Sequence, residues 1–377
     1  MSAHALDGAA IDLDGLGQAV EERLAEFLDG KAAAVEAGVL PGEVVEELRR
    51  FVFAGGKRLR PVLCLLGWHA AGGDTVPATV VRVAASLEMF HAFALIHDDV
   101  IDNSATRRGG PTVHVALAAR HRDGLDAQRA RDLGRGVAVL IGDLALAWSD
   151  ELLHTAGMTP AQWEAVLPVV DVMRTEVMGG QYLDVVGAGG LAGDVERALS
   201  VVRYKTAKYT CERPLHIGAA LAGGTSEVMR ACTAFAMPLG EAFQLRDDLL
   251  GVFGDPAQTG KSCLDDLRGG KSTVLMALAV RAADAGQLRD LHALVGNPVL
   301  DGPGASRVRD ILRATGAVEA AEQMIKARHE QAMAALTAGP FPPAVADPLR
   351  RIVDSHTRRM YSADSRSRML GTYTRAR

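Results

Sequence analysis

Aromatic residues are scarce, at 5% of the 377 positions, and the four cysteines, Cys64, Cys211, Cys232 and Cys263, are scattered with no CxxC spacing. The first scarcity argues against a site that steadies cyclising cations on aromatic rings. The second excludes a disulfide framework and a metal finger, and fits reduced thiols in a cytoplasmic protein. Basic residues form no dominant block and the formal net charge is −5, which argues against nucleic acid as a partner. Residues 1–16 carry Asp7, Asp12 and Asp14 where a secretory leader would be basic and then apolar, so a loosely ordered N-terminus is expected there. No uninterrupted apolar run reaches the ~18 residues that a membrane-spanning helix needs. Strand-like alternation is nowhere convincing.

What remains is helical periodicity. Segments rich in Ala, Leu, Val, Glu and Arg are separated by Gly, Pro, Asp and Thr, which predicts an all-α fold: a single large helical bundle over 17–360, followed by an Arg-containing tail, 361–377. Helices are expected at roughly 17–38, 42–54, 60–71, 77–102, 111–120, 136–156, 160–186, 194–222, 225–252, 271–296, 304–337 and 343–360, with loops at 121–135 and 186–193. Two phosphate-binding patterns fail on context. Gly187-Ala188-Gly189-Gly190-Leu191-Ala192 has no βαβ unit around it, and Gly269-Gly270-Lys271-Ser272 lacks the first glycine of a P-loop, that position being Asp265.

The informative feature is an acidic cluster inside an apolar run. From Pro77 to Ile101 the chain is mostly aliphatic, yet it carries Asp98, Asp99 and, just beyond, Asp102. Carboxylates rarely enter such a segment unless they are paired or hold a metal. Asp98 and Asp102 are four apart, on one face of a helix. A second pair, Asp247 and Asp248, ends another apolar helical stretch. Oxygen donors without a His/Cys cluster favour Mg²⁺. If the two helices face each other, several ions can bridge them to a diphosphate, with lysines and arginines clamping the other oxygens. Candidate clamps are Lys57 and Arg60 in GGKRLRP, Arg107 and Arg108, Lys205, Lys261 and Lys271. His91 lies two helical turns before Asp98 on the same face, within reach of a second phosphate group or, on the pattern alone, a core histidine.

GGKRLRP, HDDVIDNSATRRGGPTVH, GGQYLD, KTA and QLRDDLL followed by TGK and DDLRGGKST together resemble the E-type polyprenyl diphosphate synthases, in order and spacing over roughly 40–275. The resemblance implies an all-α fold, usually a homodimer, with the active site in a deep central cavity. It implies that Asp98 and Asp102, supported by Asp99, bind Mg²⁺, three ions in all, with Asp247 and Asp248 on the opposite helix. It implies that Arg107, Lys205 and Lys261 hold an allylic diphosphate while Lys57, Arg60, His91 and Arg108 hold isopentenyl diphosphate. Thr206 and Gln244 are similar to groups that stabilise an allylic cation, and Gln181 lies by the same cavity. Gly251 departs from the pattern, standing where many members carry a third Asp, and Gly110 and Ser262-Cys263 depart from it too.

The helix bearing Asp98 should also line the pocket for the growing tail. With ~1.5 Å rise per residue, Phe93 lies roughly 7 Å and Phe90 roughly 12 Å below Asp98. Phe93 is aromatic but Ala94 is small, which by the family's rule favours a C20 product, geranylgeranyl diphosphate, over C15. Phe90 and Met89 argue against much longer chains. A class I terpene cyclase and a silent heterodimer subunit are the rival readings. The first would carry a different second metal motif, and the second would tend to lose Asp98, Asp102 or the basic clamps, which this chain keeps.

Overall fold

A computed structural model describes residues 11–255 and 262–357. The described chain is a helical bundle whose sole sheet, among the described residues, pairs Thr106 with Pro111 and Arg107 with Gly110 in an antiparallel turn. The helices that matter here are α1 (Leu13–Gly30), α2 (Ala32–Glu36), α3 (Gly42–Phe53), α4 (Leu59–Ala70), α5 (Ala78–Ile101), α6 (Val113–Arg120), α7 (Ala127–His154), α8 (Pro160–Gly187), α9 (Val195–Val201), α10 (Arg213–Leu221) and α11 (Ser226–Phe253). Between α9 and α10 the chain forms a π-helical segment, Val202–Glu212. Shorter and later helices cover Asp265–Arg268, Val274–Ala282, Ala285–Leu294, Gly302–Ala314, Ala317–Ala338 and Pro343–Thr357.

α5 is the central element. It packs against α7, α4 and α1, and Met89, Phe90 and Ile96 are at most 1% exposed, each burial contributing roughly 1.5–3 kcal/mol. Among the described residues α5 is also the one helix with the length and apolarity of a membrane span, but 67% of that stretch is buried by its own neighbours. Its apolarity is explained by its place in the bundle.

Several boundaries differ from expectation for local reasons. The N-terminal helix starts at Leu13, inside the stretch expected to be loose, because Asp12 caps it by accepting from the Asp14 amide at 3.1 Å and Ile11, Leu13 and Leu16 pack on the core. Residues 127–135 are helical, not loop. Asp126 caps α7 by accepting from the Gln128 and Arg129 amides at 3.0 and 2.8 Å, and Gly134 is buried against α6. Gly134 is a poor helix former that packing overrides. The expected helix over 304–337 is divided at Gly316, which takes a left-handed φ of 72°. The start of α8 follows its capping box, with Thr159 and Gln162 satisfying each other's amides and Pro160 opening the first turn.

The π-helical segment positions the site. Its wide turns are wedged between α8 and α11, and glycines stand at both contacts. A Cβ on Gly180 would lie 2.4 Å from the Lys205 amide nitrogen, and one on Gly240 would lie 2.4 Å from the Cα of Ala207. Pro214, just after the segment, has no N–H to offer an α-helical turn, and the wide turns end there. Lys205 and Thr206 are thereby held between the helix carrying Gln181 and the helix carrying Gln244.

Candidate active site

Asp98 ends up in a dense charged network. Lys205 Nζ donates to Asp98 Oδ1 at 3.0 Å and to Asp184 Oδ2 at 2.6 Å, while Gln181 Nε2 donates to Asp98 Oδ1 at 3.2 Å. Arg107 Nη2 donates to Asp98 Oδ2 at 3.2 Å, and its Nε donates to Asp99 at 2.8 Å. Lys271 Nζ lies 2.8 Å from Asp102 Oδ2 and 3.8 Å from Asp266 Oδ1. Burial opposes ionisation of Asp98, but Lys205, Lys271 and Arg107 hold its carboxyl well below the usual carboxylate range. Burial likewise opposes charge on Lys205, and Asp98 and Asp184 keep its ammonium protonated.

The second acidic motif joins the same network from the other side. Thr206 Oγ1 donates to Gln244 Oε1 at 2.6 Å, and Gln244 Nε2 donates to Asp248 Oδ1 at 2.8 Å. Asp247 is exposed, whereas Asp248 is buried. Burial, with Asp266 and Asp247 adding to it against the Gln244 hydrogen bond, pushes the Asp248 carboxyl up to about 7. An acid raised in this way is a place where added positive charge is favourable. Lys271, whose charge is felt by Asp98, Asp102, Asp184, Asp266 and Asp248 alike, stands between the two motifs.

A third group of residues forms a cationic corner beside α5. His91 Nδ1 lies 3.2 Å from the Tyr209 hydroxyl, Arg60 Cζ sits 4.4 Å from the centre of the Tyr209 ring, and Arg60 Nη2 donates to Thr210 at 2.7 Å. Arg108 and His91 line one small cavity with Phe51, Val52, Glu88, Ala92 and Leu95. Burial, followed by Arg60, Arg108, Arg107 and Arg58, holds the His91 imidazole well below its ordinary value. It is therefore a neutral donor among cations, suited to an anion with several oxygens. Lys57 is exposed next to Gly55 and Gly56. Arg58 is the structural member of the motif: it is buried, takes a left-handed φ of 48°, and donates to Glu88 at 2.7 Å and Glu21 at 2.9 Å.

Most expected site residues therefore fall into one region: Asp98, Asp99, Asp102, Arg107, Gln181, Lys205, Thr206, Gln244, Asp248 and Lys271 in the network, with Arg60, His91 and Arg108 in the cationic corner. Lys261 lies outside the described residues. Below Asp98, Met89, Phe90 and Phe93 are buried, and the Phe93 ring packs on Phe90 at 5.2 Å and on His97 at 4.8 Å, while Ala94 is partly buried. Two carboxylates were missed. Asp184, in the quoted GGQYLD segment, holds Lys205. Asp266 packs against Gly251, where a Cβ would meet its Oδ2 at 2.0 Å; its carboxylate thus fills the space that Gly251 leaves open.

Among the described residues, no three His, Cys, Asp or Glu side chains converge into a ready-made ion cage. The donor set nevertheless fits magnesium, which is typically held by one or two carboxylates together with substrate phosphates. Asp98, Asp102 and the Asp247–Asp248 pair are oxygen donors, and Lys205 and Lys271 stand beside Asp98 and Asp102.

The sequence model of the Polyprenyl synthetase family matches residues 42–302. The chain belongs to that family. Among curated relatives it is 35% identical over 282 residues to the geranylfarnesyl diphosphate synthase of Aeropyrum pernix, covering 74% of this chain and 82% of that one. It is 30% identical over 275 residues to the geranylgeranyl diphosphate synthase of Saccharolobus solfataricus, covering 72% and 77%. Among solved structures, geranylgeranyl pyrophosphate synthase from Corynebacterium glutamicum, complexed with isoprenyl diphosphate and magnesium, superposes with a TM-score of 0.88 at 41% identity, covering 93% of this chain and 100% of that one. The fold is that of the isoprenyl synthases and the chain is a trans-prenyltransferase.

Proposed function

We propose that the protein condenses isopentenyl diphosphate head to tail with an allylic diphosphate and releases geranylgeranyl diphosphate. The observation that carries this reading is the continuous polar network from Asp98 through Lys205 and Thr206 to Gln244 and Asp248, with the cationic corner at Arg60, His91 and Arg108 beside it. Two diphosphates thus have two separate sets of cations. The relatives named as geranylgeranyl and geranylfarnesyl synthases support a product of C20 or near it.

Lys205, Arg107 and Lys271, with Lys261, would bind the allylic diphosphate, exchanging their carboxylate partners for phosphate oxygens. Asp98, Asp102, Asp247 and Asp248 would hold three magnesium ions, whose charge stabilises the departing diphosphate. Thr206 and Gln244 orient each other through their 2.6 Å hydrogen bond and present their oxygens to the allylic cation. The buried apolar face of α5 below them excludes water, so the cation meets the double bond of isopentenyl diphosphate instead. Arg60, His91 and Arg108, with Lys57, hold that second substrate by its diphosphate. Loss of a proton from the adduct to the released diphosphate then regenerates an allylic diphosphate five carbons longer.

A homodimer accompanies this reading. Among the described residues, Val139 and Leu140 on α7 and Leu167, Val172, Met178, Tyr182, Val185 and Val186 on α8 are exposed large apolar side chains, more than a monomer usually leaves open on two consecutive helices.

Purified protein incubated with isopentenyl diphosphate, Mg²⁺ and dimethylallyl, geranyl or farnesyl diphosphate should yield geranylgeranyl diphosphate by mass spectrometry. A C15 end product would correct the length alone. Hydrocarbon release would replace the reading with a cyclase, and no turnover with any primer would mark a silent subunit.

A further inference from the structure

A charged side chain stands where an apolar pocket would be expected to end. Arg174 on α8 has its Cζ 5.5 Å from the centre of the Phe90 ring on α5, and its Nη2 donates to Asp150 on α7. Arg174 Nε is buried and has no hydrogen-bond partner among the described residues. α5 packs closely on α7, and α8 packs on the π-helical segment and α10. Two polar side chains of α8 reach across to α5. Gln181 reaches Asp98 at the top, and Arg174 reaches Phe90 eight residues lower on α5 and seven lower on α8. Eight residues of helix span roughly 12 Å. Between these contacts the same helical stripes carry Ala94 on α5 and Val177 on α8, both small or aliphatic.

We infer that Arg174 sets the product length: its guanidinium, paired with Asp150 behind Phe90, closes the tail channel between α5 and α8 with charge. This rests on the proposed condensation. An aromatic floor alone yields when the ring rotates, at the cost of a rotamer change. A growing hydrocarbon that passed Phe90 would have to part a guanidinium from its carboxylate and strip water from both, a much larger penalty. The pair is sustained because its outer side is wet, with the Arg174 and Asp150 side chains 21% and 35% exposed. Arg174 is thus a specificity-determining residue that touches only the far end of a full-length tail.

The test compares product distributions, by mass spectrometry, of the full-length wild type, Phe90→Leu, Arg174→Lys and Arg174→Met with a farnesyl primer and excess isopentenyl diphosphate. Arg174→Met should lengthen the main product by at least one five-carbon unit, whereas Phe90→Leu and Arg174→Lys should keep the wild-type end point. An unchanged end point in Arg174→Met overturns the proposal, as does Phe90→Leu or Arg174→Lys lengthening the product equally. The wild type supplies a measurement that needs no variant. Among unreactive geranylgeranyl diphosphate analogues, one ending in a carboxylate should compete more tightly than one ending in a methyl group, and the opposite order also overturns the proposal. An inert wild type would instead defeat the proposed function itself.

Discussion

Lys205 is the cation that ties the first acidic motif to α8. It bridges Asp98 and Asp184 across two helices, so its ammonium is already fixed where a diphosphate oxygen would arrive. Lys205→Ala should lower kcat on the order of 10²–10³-fold, the usual loss when one preorganised donor to developing charge is removed, while the far-ultraviolet circular dichroism stays helical. A loss confined to KM would show that Lys205 only recruits substrate. His91 carries a pH signature of its own. Burial and four arginines depress the folded value below the ordinary 6.5, so the unfolded chain takes up a proton that the folded chain refuses. Its contribution to stability is complete above about pH 6.5 and is lost progressively as the pH falls from there through the depressed folded value. His91→Asn removes this slope, and melting temperatures between pH 5 and 7 should show a smaller acid loss in the variant; equal slopes would refute a neutral buried imidazole. Asp98, Asp102 and the clamps were legible in the sequence because an acid in an aliphatic run is costly unless it works. Asp184, Asp266 and Arg174 were not legible as members of a site, because each owes its meaning to a partner on another helix: Lys205, Gly251 and Phe90.

Helices were legible as periods, and their interruptions were not. The expected single helix over 194–222 is α9, a π-helical segment and α10; periodicity cannot distinguish an α turn from a wider one when apolar residues continue through both. The wide segment is specified by its neighbours, chiefly Gly180 and Gly240, whose missing side chains admit the Lys205 and Ala207 backbone. π-helical turns recur at functional sites because they redirect side chains within an otherwise regular helix. Gly180→Val should therefore push Lys205 away from Asp98 and lower kcat on the order of 10²-fold, as misplacement of about an ångström can do. The measurement is the turnover rate beside a thermal melt. Full activity with a normal melt would mean that the segment tolerates displacement and that Gly180 is not what seats it.

At the level of the whole molecule, one bundle serves two chemistries that oppose each other: a charged rim that attracts diphosphates and an apolar interior that keeps water from a carbocation. Both come from α5, whose C-terminal end carries Asp98, Asp99 and Asp102 while its middle carries Met89, Phe90 and Ile96. Such a helix must be enclosed on all sides, which α4, α7 and the elements around them accomplish, so the apolar surface that α7 and α8 still expose has a different use. On α8 the outward positions Ala165, Pro168, Val172, Thr175, Gly179, Tyr182 and Val186 recur every three or four residues without a charge, the pattern of a helix that packs against another helix. In the proposed homodimer a second copy would offer the same stripe to it about a two-fold axis. Val172→Asp combined with Tyr182→Asp places a charge on each of two turns of that stripe, 44% and 67% exposed in the single chain, and so leaves the interior untouched. Sedimentation velocity should then show a dimer for the wild type and a monomer for the double variant, with helix content preserved. A double variant that sediments as the wild type does would remove this face from the interface.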